Sequence, residues 1–490
     1  MSRRKGRIIF LGLAAAAIAL VWVRQAKIAA LFRQGNSNDM RVRVQATRIL
    51  LDRGVIPDAL PSQEVIVRSK ISKALAEVGG QRAIDCLLRL LSDFEDAPRR
   101  WAREALVKIG PSALPALGPV LLTDNENAKK AALEALGRMG PPAVPFLRRL
   151  ISDPASRTNA CIALGNVGAS AESPEEAEEA FRPLIHAVSG PDYDLANDAL
   201  PVLGEKQVKA ALEPLRKALA VGDIRFNAIV ALGDIGDPNA TIDLIPFLSD
   251  SDVGIRTATA RALGQIGDPR AASRLVSTLG EENADYRSAV ILALQRIGAP
   301  AAGLLVEQLR SPDLYVRRAA ARSLQGDAVP ASIPALRQAL SDPDAEVRAS
   351  AASALGWRGN VAAIPLLLEA LHDKDGMVVD AAIAAFAEIG PTALPTLHSL
   401  FSSPDPAPAL YASRAIVQMG DEAAPSLVAA LDSTSQEVQL WAVITLADMG
   451  YRPAVKRFRE MYGLSQGRLR VILWRALSEL GASLPPSSKG

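Results

Sequence analysis

Apolar residues return along this chain in a fixed phrase. Residues 341–359 read SDPDAEVRASAASALGWRG, and residues 249–267 read SDSDVGIRTATARALGQIG. Val347, Ala351, Ala354 and Leu355 in the first, and Ile255, Ala262, Leu263 and Ile266 in the second, fall three or four apart. That spacing lines one side of an α-helix. With the Arg of the VR-like dipeptide as origin, the phrase recurs at Arg225, Arg256, Arg287, Arg317 and Arg348. The register continues through Val379, Ala409, Gln439 and Arg470, every 30 or 31 residues. Upstream origins are Arg43, Arg68, Arg99, Lys129, Arg157 and the degenerate Tyr193, making fifteen copies.

Other positions keep the same register. Seven after the origin stands Leu in thirteen of the fifteen, with Phe386 and Ile416 as the exceptions, and the residue before it is Ala in twelve. A large and a small residue on one turn let two helices approach closely. Gly stands eleven after the origin in fourteen copies, only Ala328 breaking the rule, and predicts a helix stop in a left-handed conformation. Asp252, Asp313, Asp344, Asp375 and Asp405, four before their origins, are N-cap candidates. DPRA, DPNA, PPAV or PTAL then opens a second apolar helix such as AAIPLLLEALHD, with Pro in the first turn where it costs no hydrogen bond. The unit is helix, tight turn, helix, short loop. No unit buries its own apolar face, so the copies must stack.

The predicted fold class is an all-α, α–α superhelix of about fifteen two-helix repeats behind an N-terminal anchor helix. The expected segments are a basic stub (1–7), an anchor (8–23), a linker (24–38), the array (39–482) with an acidic insertion (169–183), and a disordered tail (483–490). Ile8–Val23 holds sixteen residues without charge, closed by Arg24. That is short for a membrane span, but flanking Arg24 and Lys27 can snorkel. An uncleaved anchor is the preferred reading, with a cleaved signal or a buried helix as alternatives. Basic residues flank both sides almost equally, which leaves orientation weakly on the side that exports the array from an inner membrane.

The phrase DPDAEVRASAASALGWRGNVAAIPLLLEAL resembles the HEAT-like repeat, of the sort also found in phycobilin lyases. The resemblance covers about residues 39–482 and is specific for architecture, not for activity. It implies that the VR helix lines the concave side and that its Asp and Arg form a ladder between neighbouring repeats. Asp252 with Arg256, Asp313 with Arg317, and Asp344 with Arg348 are then the ladder residues. Each Arg has an acidic or polar residue one turn earlier, so a phosphate-binding strip is the weaker reading.

Exposed positions on the VR helix are expected two, five and nine after the origin. Three carry aromatics, Trp101, Tyr411 and Trp441, the last two in consecutive copies. Arg414, Gln418 and Arg475 belong to the same expected surface. Aromatic and Arg groups together anchor protein partners, whereas rings packed between repeats would be structural.

Composition narrows the function. The 490 residues are 49% hydrophobic, 4% aromatic and 22% charged, an ordered composition, and the net charge of +2 offers no field for nucleic acid. Cys86 and Cys161 sit in apolar helical patterns and make neither a disulfide framework nor a zinc site. Resemblance to deoxyhypusine hydroxylases would imply a di-iron site built on His-Glu pairs. His186, His372 and His398 are followed by Ala187, Asp373 and Ser399 instead, so that activity is not carried over. LGQIG and LGDIG are repeat punctuation rather than phosphate loops. The expectation is a membrane-anchored scaffold that binds partner proteins, not an enzyme. No cofactor, metal, catalytic residue, nucleic acid or small-molecule substrate is expected. A structural subunit of a membrane complex, or an enzyme of lyase or glycosylase type, is the alternative.

Overall fold

The computed structural model describes residues 25–56, 63–325, 332–357 and 359–483, all of them helical or loop, with no strand among them. The anchor expected at 8–23, Ala328 and the tail from 484 onward lie outside the described residues. The chain divides into two compact units, residues 1–235 and 236–490.

In the N-terminal unit the VR helices are Met40–Asp52, Val65–Val78, Asp96–Ile109, Glu126–Met139, Arg157–Ala169, Tyr193–Glu205 and Gly222–Ile235. In the C-terminal unit they are Val253–Ile266, Ala284–Ile297, Leu314–Ser323, Ala345–Leu355, Gly376–Ile389, Pro406–Met419, Gln436–Asp448 and Gly467–Glu479. Within each unit, successive VR helices pack side by side and each second helix packs on its own partner. The row seven after the origin is the spine of the core: Leu106, Leu136, Leu263, Leu294, Phe386, Ile416 and Leu446 are fully buried. Each such side chain is worth about 1.5–3 kcal/mol of burial.

Small residues set the spacing between layers. A Cβ on Gly264 would lie 2.7 Å from the Ala293 Cα of the next helix, and one on Gly356 would lie 2.5 Å from that of Ala385. The Asp caps form as the sequence suggests: Asp252 accepts from the Gly254 N–H and Asp375 from the Met377 N–H. The helix stops depart from expectation. Gly267 is left-handed helical (φ +70°, ψ 17°), but Gly390 takes φ +80°, ψ −155°, a region open essentially to Gly alone. Pro391 follows it and disfavours helical ψ at the residue before it. Gly168 and Gly204 do not stop helices at all; they lie inside them, where a Cβ would strike Phe181 and Ala231.

Two segments are more ordered than the sequence suggested. Residues 25–35 of the expected linker are helical and bury Phe32. The acidic insertion enters a full second helix, Pro174–Val188, capped by Ser173 accepting from the Glu176 N–H, with Glu175 and Glu176 at the favourable positive end of the helix dipole. Among the described residues one helical stretch, Gly376–Leu400, is long and apolar enough to cross a membrane. The backbone turns at Gly390 within it and 56% of its apolar window is buried, so it serves as the two helices of one repeat.

Candidate partner-binding surface

The origin arginines are held by the loops around them. Arg348 donates from Nε and Nη2 to both carboxylate oxygens of Asp373, at 2.7 and 2.9 Å, and from Nη1 to the Asp342 carbonyl at 2.9 Å. Arg317 repeats this on Asp342, and Arg68 on Asp93. These pairs are nearly closed to solvent: the side chains of Arg348 and Asp373 are 6% and 13% exposed.

The ladder acid therefore stands six residues before the next origin, not four before its own. Asp252, Asp313 and Asp344 turn their carboxylates onto the N–H groups that begin their helices, at Gly254, Tyr315 and Glu346. Asp344 also takes the guanidinium of Arg318, which holds its carboxyl below the ordinary range. In the phrase SDPD the first Asp is the rung and the second is the cap. Arg256 has Glu281 at the rung position in sequence, and its guanidinium lies 5.5 Å from the Tyr286 ring, whose hydroxyl donates to the Leu248 carbonyl.

The aromatic candidates sit two after their origins, a row that is half-buried because the neighbouring layer leans on it. Lys73 Nζ lies 3.4 Å from the centroid of the Trp101 ring, and burial is the main cause lowering that ammonium's pKa. Trp441 is half-buried and stacks on Phe401, 6.2 Å between centroids, and fully buried Phe401 stacks in turn on His398. Burial also lowers the His398 pKa. Tyr411 is half-buried on the helix beside that of Trp441. Arg414, Gln418 and Arg475 are exposed; Arg414 pairs with Asp380 of the preceding repeat at 3.0 Å and Arg475 with Glu479 at 2.7 Å. The structure thus separates the six into three rings turned between layers and three polar groups turned to solvent.

The apolar groups that do face solvent were missed. Leu292, Tyr315, Met377 and Leu410 are 57%, 56%, 52% and 48% exposed on four different VR helices of the C-terminal unit. They stand at −2, +1 or +5 from their origins, one helix face by spacing of three and four. That face was legible from the periodicity once the half-buried row at +2 was excluded from it.

Neither thiol nor imidazole gathers into a reactive group. Burial pushes Cys86 up to about 11 and Cys161 up to about 12. His186 and His372 are exposed, the latter with Nδ1 3.0 Å from the Leu368 carbonyl oxygen. Among the described residues no cluster of three His, Cys, Asp or Glu side chains is placed to hold a metal ion.

The family model for HEAT repeats matches residues 114–182, 221–295 and 302–387. Residues 114–387 carry HEAT repeats. The Kap95:Nup1 complex is similar in structure, with a TM-score of 0.51 at 13% identity, over 93% of this chain and 72% of that one. Importin beta aligns over the same shares at 14% identity with a TM-score of 0.46. The CpcE–CpcF complex of phycocyanin lyase from Nostoc sp. is 26% identical over 49% of this HEAT-repeat chain and 93% of its own, with a TM-score of 0.27. No curated protein matches the chain.

Proposed function

We propose that this HEAT-repeat protein is a non-catalytic scaffold that holds partner proteins on the solvent face of its VR helices, close to a membrane. The observation that carries the reading is the division of labour within each repeat. The +7 row is buried in copy after copy, whereas the exposed face changes from copy to copy and presents Leu292, Tyr315, Met377 and Leu410 to water. Large apolar groups left exposed along one face of successive helices are candidates for docking. Repeat arrays of this kind use such faces for extended binding. The fold it shares with Kap95 is one that has been solved in complex with another protein, Nup1.

Tethering rests on the sixteen uncharged residues Ile8–Val23, with an inner membrane as the site and the array outside the cytoplasm as the preferred orientation. A tether raises the effective concentration of whatever the array binds.

The test is affinity capture of the tagged chain from gently solubilised membranes, with mass spectrometry of the co-purifying proteins. A protein recovered in near-equal amount, and lost when Leu292, Tyr315, Met377 and Leu410 are changed to Ser, is the expected result. Recovery of the chain alone under several detergents would defeat the proposal.

A further inference from the structure

Cross-repeat ion pairs in the N-terminal unit show which positions are within reach of one another. Arg138, nine after its origin, pairs with Glu104, five after the preceding origin. Lys108 pairs with Glu77, each nine after its own origin, and Arg103, four after its origin, with Glu134, five after the next. On that face cations of one layer are answered by carboxylates of the next.

In the C-terminal unit the offset of the Arg138–Glu104 pair falls on two cations instead of a cation and an acid. Arg296 stands nine after Arg287, and five after Arg256 stands Arg261 where the N-terminal unit has Glu104. Arg322, five after Arg317, follows in the next layer, and Gln295 Nε2 donates to its carbonyl oxygen at 2.8 Å. All three arginines are exposed, and none has an ion pair among the described residues. Leu292 occupies the +5 position between Arg261 and Arg322 and is 57% exposed. The nearest acid on its helix, Asp285, lies at the opposite end, about 16 Å along the axis from Arg296. Like charges brought close destabilise a protein, and an anion bound between them reverses the sign.

We propose that Arg261, Arg296, Arg322 and Leu292 form the docking site for an acidic segment of a partner protein, its carboxylates on the guanidinium groups and an apolar side chain on Leu292. This deepens the scaffold reading and rests on it. Charge complementarity names the acid, and Leu292 names a polypeptide. Layers roughly 8–10 Å apart spread three cations too thinly for a nucleic acid backbone, which carries a charge about every 1.7 Å.

The test uses the full chain and a short fluorescein-labelled peptide of Glu with interspersed Leu, read by fluorescence anisotropy. Saturable binding is expected. It should weaken about tenfold in R261E/R296E, about threefold in L292S, and about tenfold between 0.05 and 0.5 M salt. Both arginines are exposed, so an unchanged melting curve will show that the variant folds. No saturable binding, unchanged affinity in R261E/R296E, or tighter binding of an oligothymidylate than of the peptide would overturn the site. If a partner captured from membranes stays bound to R261E/R296E, the scaffold stands and this site falls. If nothing is captured while the peptide still binds, the fault lies with the scaffold reading.

Discussion

Replacing Asp373 by Ala removes one rung of the ladder and leaves Arg348 charged in a place 6% open to water. Two charge-assisted hydrogen bonds go with it, while Arg348 Nη1 keeps the carbonyls of Asp342 and Pro343. Asp373 also accepts from the Asp375 N–H, so the helix entry loosens too. Removing one partner of a buried pair costs about 3 kcal/mol. At about 2–4 °C per kcal/mol for a unit of this size, melting should fall by about 6–12 °C. Calorimetry with circular dichroism on Asp373→Ala, Asp373→Asn and the double variant Arg348→Met/Asp373→Leu reads the effect. Asn should cost less, and the apolar pair should recover part of the loss. The hydrogen bond from Arg348 holds the Asp373 carboxyl below its ordinary 3.8. Its stabilisation is therefore present above pH 4 and lost as pH falls through the lowered value, so wild type and Asp373→Ala should converge in acid. A loss below about 1 kcal/mol at neutral pH would refute the ladder as a structural device.

Three further outcomes follow from the packing. Gly356→Ala, whose Cβ would meet backbone at 2.5 Å, should cost about 1–3 kcal/mol, whereas Gly303→Ala, with nothing within 4 Å, should gain about 0.5–1 kcal/mol by thermal melting. Trp441→Ala, which strips a ring from Phe401, should destabilise by about 2 kcal/mol, and half-exposed Trp474→Ala by less than about 1 kcal/mol. Cys86 and Cys161 should resist a thiol reagent at pH 8 in the folded protein and react fully in denaturant, since burial holds both thiols protonated.

The repeat, its helices and its core row were legible because each depends on spacing within one copy. Leu263 and Phe386 are buried for the reason their register gives. What crosses from one copy to the next was harder to read. Both Asp residues of SDPD lie within reach of a turn from Arg348, and only the path of the following loop decides that Asp342 serves Arg317 while Asp344 caps. Gly168 and Gly390 share a position in the phrase, yet Gly168 stays within its helix with Phe181 against its Cα, whereas Gly390 ends its own. The rings at Trp101 and Trp441 looked exposed on an isolated helix; the layer beside them half covers them. The proposed juxtaposition of Arg261 and Arg296 is invisible to any reading of one copy, because it rests on the Glu104–Arg138 pairing of another repeat, where a +9 residue meets a +5 residue of the preceding copy.

The most direct test of the scaffold account is hydroxyl-radical footprinting of the captured assembly against the free chain. Met377, Tyr315, Leu292 and Leu410 are all open to the reagent in the free protein. The account predicts that their oxidation drops when partner is bound, while exposed apolar groups on second-helix segments, Ile242 and Val361, oxidise as before. Protection confined to Ile242 and Val361, with the VR-helix residues unchanged, would contradict it.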